Sequence, residues 1–176
     1  MLVIGCGNPG RSDDSAGILV AQRLRELGLD ACVYTGGSLG LIDLWEHADE
    51  VILVDAAVTG APAGTIHVWD GRRSSLPGKA PASTHGLGVA EAIELARSLN
   101  RLPSRLQGYG IEGHCFDLGT RVSSEIQRAV DEVVRRIFAM IAHQPSRLTR
   151  ILETLSRPDS GSSRRSREYR QPLNYC

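Results

Sequence analysis

Val51-Ile52-Leu53-Val54-Asp55-Ala56-Ala57 is apolar throughout except for one carboxylate. A run of this kind is the pattern of a strand buried on both faces, the condition of an interior strand in a parallel sheet. Parallel strands are joined by crossovers that are usually helices, so the stretches on either side should read as alternating strands and helices. They do. Cys32 to Thr35 forms a strand, and Gly36-Gly37-Ser38 follows, with Ser38 placed to cap a short helix carrying Leu41, Ile42, Leu44 and Trp45. Further upstream, Met1 to Ile4 is a buried strand that runs into the turn Gly5-Cys6-Gly7-Asn8-Pro9-Gly10. A helix from about Asp13 to Leu27 comes next and stops at Gly28.

Downstream of Ala57, Gly60 to Gly64 turns the chain and Thr65 to Trp69 alternate like a half-buried or edge strand. Residues 70 to 84 form a loop long enough to carry function. A helix from about Gly86 to Leu99 places Val89, Ala92, Ile93 and Ala96 on one face, and a strand covers Leu106 to Ile111. Ser124 with Gln127 has the spacing of a capping box, opening a long helix with Ile126, Val130, Val133, Ile137 and Met140 at helical intervals. The expected fold is therefore α/β, a three-layer sandwich with a mostly parallel five-stranded sheet and helices on both faces.

The chain has 176 residues, enough for one domain with a sizeable core. Hydrophobic residues make up 41% and basic and acidic side chains balance at 20 each, which excludes a disordered polyelectrolyte and gives no overall pull toward nucleic acid. The balance is uneven along the chain. From Pro145 onward seven arginines face three acids, while the preceding residues are net acidic. Residues 1–144 are read as the functional domain and 145–176 as a basic, largely disordered tail. Cys6, Cys32, Cys115 and Cys176 lie far apart and form no Cys-x-x-Cys pair, so neither a local zinc site nor a disulfide framework is encoded. The start of the chain lacks the basic and long apolar segments of a signal peptide, and no apolar run is long enough to span a bilayer. A cytoplasmic protein without membrane insertion is expected.

Three groups stand out chemically. The glycine loop ends in Asp13-Asp14, two carboxylates where a bound pyrophosphate would need bare N–H groups, which argues against dinucleotide binding. One of the pair, Asp13, is assigned to capping the helix that follows, leaving Asp14 over. Asp55 closes a buried strand, where an ionised carboxylate needs a cation or several donors. His85 precedes a helix among glycines, in Ser83-Thr84-His85-Gly86-Leu87-Gly88. A doubly wound sheet gathers strand ends and helix starts on one edge, so Asp14, Asp55 and His85 make a candidate divalent-metal site with open positions. The imidazole favours a borderline ion such as zinc, nickel or cadmium over magnesium. His67, Asp70, His114 and Asp117 are rivals, with His67 expected at the surface.

Taken together, Gly5-x-Gly7-Asn8, Asp13-Asp14-x-x-Gly17, Gly36-Gly37-Ser38, Val51 to Ala56 and Ser83-Thr84-His85-Gly86-Leu87 resemble, in order and spacing, the hydrogenase maturation proteases. The resemblance runs from residue 1 to about 143. It implies an α/β sandwich and an endopeptidase that removes a C-terminal extension from the nickel-loaded large-subunit precursor of a nickel–iron hydrogenase. It also implies that Asp14, Asp55 and His85 are the catalytic, metal-contacting trio. Nickel would then arrive with the precursor, with none held tightly by the isolated protein. Ser15, where the family often has Gly, and the basic tail depart from that pattern. A non-catalytic nickel-sensing assembly checkpoint would use the same trio. The opening Val3 to Gly10 is also similar to peptidyl-tRNA hydrolase, but that enzyme continues with an arginine-histidine-asparagine stretch, and this chain has Ser12-Asp13-Asp14-Ser15-Ala16. The acidic body is moreover unfavourable to a tRNA surface.

Overall fold

A computed structural model describes residues 1–73, 86–119 and 121–142. The expected loop beyond Arg73, His85 and the basic tail lie outside the described residues. Five strands form one sheet: β1 (Leu2–Cys6), β2 (Ala31–Tyr34), β3 (Glu50–Ala57), β4 (Ile66–Asp70) and β5 (Arg105–Glu112). Their order is β2-β1-β3-β5-β4, parallel except for β4, which runs antiparallel along β5. β3 lies at the centre, as its unbroken apolar run requires: Val51, Ile52, Leu53 and Val54 are all buried. The chain leaves β1 toward β2 on one side and reaches β3 on the other. That reversal opens a crevice at the carboxyl ends of β1 and β3, where ligands of such sheets bind.

Helices cover both faces. α1 (Ala16–Glu26) and α4 (Ser124–Ala142) pack on one face over Val3, Ile52, Val54, Tyr109 and Ile111. α2 (Ser38–Trp45) and α3 (Gly86–Ser98) cover the other over Ile4, Cys6, Val51, Leu53 and Leu106. The two faces follow from the two-residue alternation of strand side chains. α4 buries Ile126, Val130, Val133, Ile137 and Ile141 at helical spacing, with Met140 only partly buried beside them. α1 ends as its sequence predicts: Gly28 takes φ +81°, and the amides of Gly28 and Leu29 close back on the Arg25 and Leu24 carbonyls. No helix among the described residues is long and apolar enough to cross a membrane.

Three caps differ from expectation. α1 starts at Ala16, after a 3-10 turn over Ser12–Ser15, and receives no side-chain cap from the Asp pair. Ser38 does not cap α2; its hydroxyl donates to Glu91 of α3 at 2.7 Å, tying the two helices of that face together. The cap of α4 is Ser123, one residue before the expected Ser124, with its Oγ 3.4 Å from the Ile126 amide. In each case a tertiary partner or a neighbouring hydroxyl competes for a role that local spacing alone assigns.

Candidate active site

The loop from β1 to α1 is built on close backbone approach. A Cβ on Gly17 would lie 2.2 Å from the Val54 carbonyl oxygen and 2.4 Å from that of Cys6, and one on Gly7, at φ +139°, would lie 1.9 Å from the Asp14 carbonyl oxygen. Only glycine lets α1 start this close to β1 and β3. This packing carries the 3-10 turn, and Asp14 with it, to the carboxyl end of β3 beside Asp55. Asp14 is buried and Asp55 half-buried.

The two carboxylates feel each other. Burial chiefly raises the Asp55 carboxyl, and the charge of Asp14 adds to it, bringing it from the ordinary 3.8 to about 7 although the Ala56 amide donates to its Oδ1 at 2.9 Å. Desolvation and a like charge both penalise the ionised form, so Asp55 is poised near neutrality. The third expected member, His85, lies outside the described residues. The helix it precedes reaches the same edge, because Gly88 and Val89 of α3 line a small cavity with Cys6, Gly7, Tyr34, Gly36 and Leu41. Among the described residues no three His, Cys, Asp or Glu side chains cluster to hold a metal. The described edge thus supplies two acid ligands at most.

Asp13 has a different task from the one its position implies. Its carboxylate accepts the amides of His114 and Cys115 on Oδ2 at 3.1 and 3.0 Å and that of Ser123 on Oδ1 at 3.0 Å. Burial works to raise its carboxyl, but these donors outweigh it and hold it below the ordinary 3.8. Asp13 therefore fastens the segment after β5 to the turn that carries Asp14. Arg11 Nε donates to the Phe116 carbonyl at 3.1 Å and Ser12 Oγ to the Arg121 carbonyl at 2.9 Å in the same seam.

Of the rivals, His114 and Asp117 belong to that segment, with His114 Nε2 3.2 Å from the Ala61 carbonyl, while Asp70 ends β4 at the far edge of the sheet. His67 departs from its expected surface position. It is half-buried, with Nε2 3.1 Å from Oε2 of Glu112. Glu112 is itself buried, and its other oxygen accepts the amides of Thr59 and Gly60 at 2.6 and 2.8 Å. Sequence reading missed it by ending the last strand at Ile111. An acid closing an apolar strand, the same signal that singles out Asp55, was present one residue further on.

Cys6, Cys32 and Cys115 are free thiols. Burial above all, then the charges of Asp55 and Cys32, pushes the Cys6 thiol well above its ordinary 9.0, which keeps it protonated and unsuited to nucleophilic attack.

The model of the HycI hydrogenase maturation protease family matches residues 20–140, a span that holds Asp55 and His85 and begins after Asp14. Among solved structures, the fold is similar to the hydrogenase maturating endopeptidase HybD from E. coli, at 19% identity and a TM-score of 0.69, over 82% of this chain and 93% of that one. It is similar also to the hydrogenase maturation protease HycI from Thermococcus kodakarensis, at 29% identity and a TM-score of 0.59, over 77% and 88% of the two chains. HybD from the same archaeon aligns at 23% identity with a TM-score of 0.61, over 79% and 97%. No curated protein matches by sequence.

Proposed function

Because the chain belongs to the hydrogenase maturation protease family, whose members are peptide-bond hydrolases, we propose that it removes a C-terminal peptide from the nickel-loaded large-subunit precursor of a nickel–iron hydrogenase. The observation that carries this reading is the pairing of Asp14 with Asp55 in the crevice between β1 and β3, with the Asp55 carboxyl raised to about 7. Two like charges desolvated together are costly in the isolated protein, and a divalent cation arriving with the substrate relieves that cost. In this reading nickel is part of the substrate. Asp14, Asp55 and His85 add ligands to those the precursor already provides, two carboxylates and an imidazole being a donor set that suits a borderline divalent ion. An ion so held would supply a Lewis acid able to polarise the scissile carbonyl and to lower the pKa of a water bound to it.

The test mixes the full chain with nickel-loaded and nickel-free precursor and follows the large subunit by mass spectrometry. A shortened subunit is expected only from the nickel-loaded form, and Asp14→Ala, Asp55→Ala and His85→Ala should each abolish it. Full processing by any two of these variants overturns the trio. Binding of the loaded precursor by wild type without any shortening would instead establish a non-catalytic checkpoint.

A further inference from the structure

At the edge of the sheet away from Asp14 and Asp55, a groove of about 930 Å³ lies at the amino ends of β3 and β5, with Met1, Ile52, Val68 and Met140 among its lining side chains. Val68 pairs with Tyr109, which packs under α4, so Val68 belongs to the face that α1 and α4 cover. It is nevertheless 52% exposed. Among the described residues, α4 therefore stops short of β4 and leaves that edge strand uncovered. The charges on the rim already pair, Glu50 with Arg105 and Asp70 with Arg73, while Arg72 donates to the Pro103 carbonyl. What the groove offers an occupant is apolar surface more than a seat for an ion.

The path of the chain points to the occupant. α4 begins after Ser123, whose amide Asp13 holds at the carboxyl edge, and it ends at Ala142, just past Met140 in the groove wall. One flank of α4 is taken by α1, through Arg23 with Asp131 and with Gln127 at 2.9 Å. Helical spacing puts Met140 on the other flank. Residues 143–155, outside the described residues, thus leave from the end of the groove. His143-Gln144-Pro145 has the length of an ordinary helix–helix connection, and Pro145 opposes a straight continuation of α4. Beyond it Leu148, Ile151, Leu152 and Leu155 recur at i, i+3, i+4 and i+7, an apolar stripe with Arg147, Arg150, Glu153 and Thr154 off it. A helix over 146–155 would be about 15 Å long, close to the roughly 17 Å of the five-residue β4. Residues 74–85, which leave β4 from the same rim, fit less well. They carry one large aliphatic side chain, Leu76, and must cross to α3 on the opposite face.

We propose that residues 146–155 form a helix that turns back antiparallel to α4 and lays the Leu148, Ile151, Leu152 and Leu155 stripe into this groove, over Val68 and Met140. The packed domain then extends to Leu155, and the arginine-rich segment starts at Ser156. A three-residue tether makes the docking intramolecular, at an effective concentration of about millimolar or more.

The experiment is hydrogen exchange read by mass spectrometry on the full chain, at one protein concentration and at another about tenfold higher. It compares wild type, Val68→Asp, Leu152→Asp and Thr154→Asp, with a thermal melt of each. An isolated helix of this length is marginal in water, so slow exchange over 146–155 reports docking. In wild type those amides should exchange at least a hundredfold more slowly than in a synthetic peptide of residues 143–158, equally at both concentrations. Val68→Asp and Leu152→Asp should each bring the segment to within about threefold of the peptide, while Thr154→Asp, off the stripe, should keep the protection. Exchange at the peptide rate in wild type overturns the proposal. So does protection that grows with concentration, which would seat a second copy of the chain, and so does protection that survives in folded Val68→Asp or Leu152→Asp or that Thr154→Asp abolishes. Should Val68→Asp not fold, Met140→Asp takes its place on the groove side.

Discussion

Replacing Asp55 by Asn should make the metal-free protein more stable at pH 8 while ending its activity. A carboxyl raised from 3.8 to about 7 binds its proton more tightly in the folded state than in the unfolded chain. Between those values the folded state therefore holds more protons, and stability falls as pH rises, flattening above about 7. The full shift corresponds to about 4 kcal/mol, and because Asp55 is half-buried, solvent screening reduces this to roughly 2–3 kcal/mol. Asn keeps the shape and the acceptor for the Ala56 amide without the charge. At about 2–4 °C per kcal/mol for a chain of this size, Asp55→Asn should melt some 5–10 °C above wild type at pH 8 in chelator, and the two should converge near pH 4. Adding a divalent ion should narrow the gap at pH 8 by stabilising wild type alone. Equal melting temperatures at pH 4 and pH 8, or an Asn variant less stable at pH 8, would refute the claim that burial beside Asp14 sets this carboxyl.

Asp13→Asn should cost about 2–3 kcal/mol in urea unfolding, because one of the two oxygens that accept three amides becomes a donor facing a donor. Its lowered carboxyl gives a contribution present above the unfolded value of 3.8 and lost as pH falls through the folded one, so the variant's deficit should shrink on strong acidification. Gly17→Ala should destabilise by more than about 3 kcal/mol, since both atoms it meets first, at 2.2 and 2.4 Å, are carbonyl oxygens of the sheet that cannot turn aside; wild-type melting would show that α1 shifts freely. Removing residues 156–176 should leave melting and processing unchanged, since residues 1–142 already supply the sheet and the helices on both its faces. Precipitation, or loss of processing at low and high salt alike, would show that the segment belongs to the domain.

The sheet was legible because its signals are non-local in effect but local in form. The apolar run at Val51 to Val54 specifies a central strand wherever it occurs, and the glycines at 5, 7 and 17 specify close approach whatever approaches. That Asp14 and Asp55 meet at one edge of the sheet was legible for a related reason: a carboxylate at the end of a buried strand or inside a glycine loop is anomalous on its own terms. Asp13 and His67 were misread because their partners lie 102 and 45 residues away in the chain, and no periodicity reports a hydrogen bond across such separations. Both look locally like ordinary pieces, a helix cap and a strand-face polar residue.

The same distinction separates the two acidic pairings at the carboxyl edge. Glu112 has backbone amides, a hydroxyl and an imidazole to meet it, and although burial raises its carboxyl these donors win and lower it from the ordinary 4.5. Asp55 has one amide and a neighbouring charge of its own sign, and burial wins. One pairing is complete within the fold and fixes a turn and an imidazole. In the proposed reading the other gains most when a cation comes with the substrate, which would make it the place where a loaded precursor changes the energy of the protein most. Two acids thus lie on one face in neighbouring strands, Glu112 buried and Asp55 half-buried, and what divides them is the number of donors the chain brings to each.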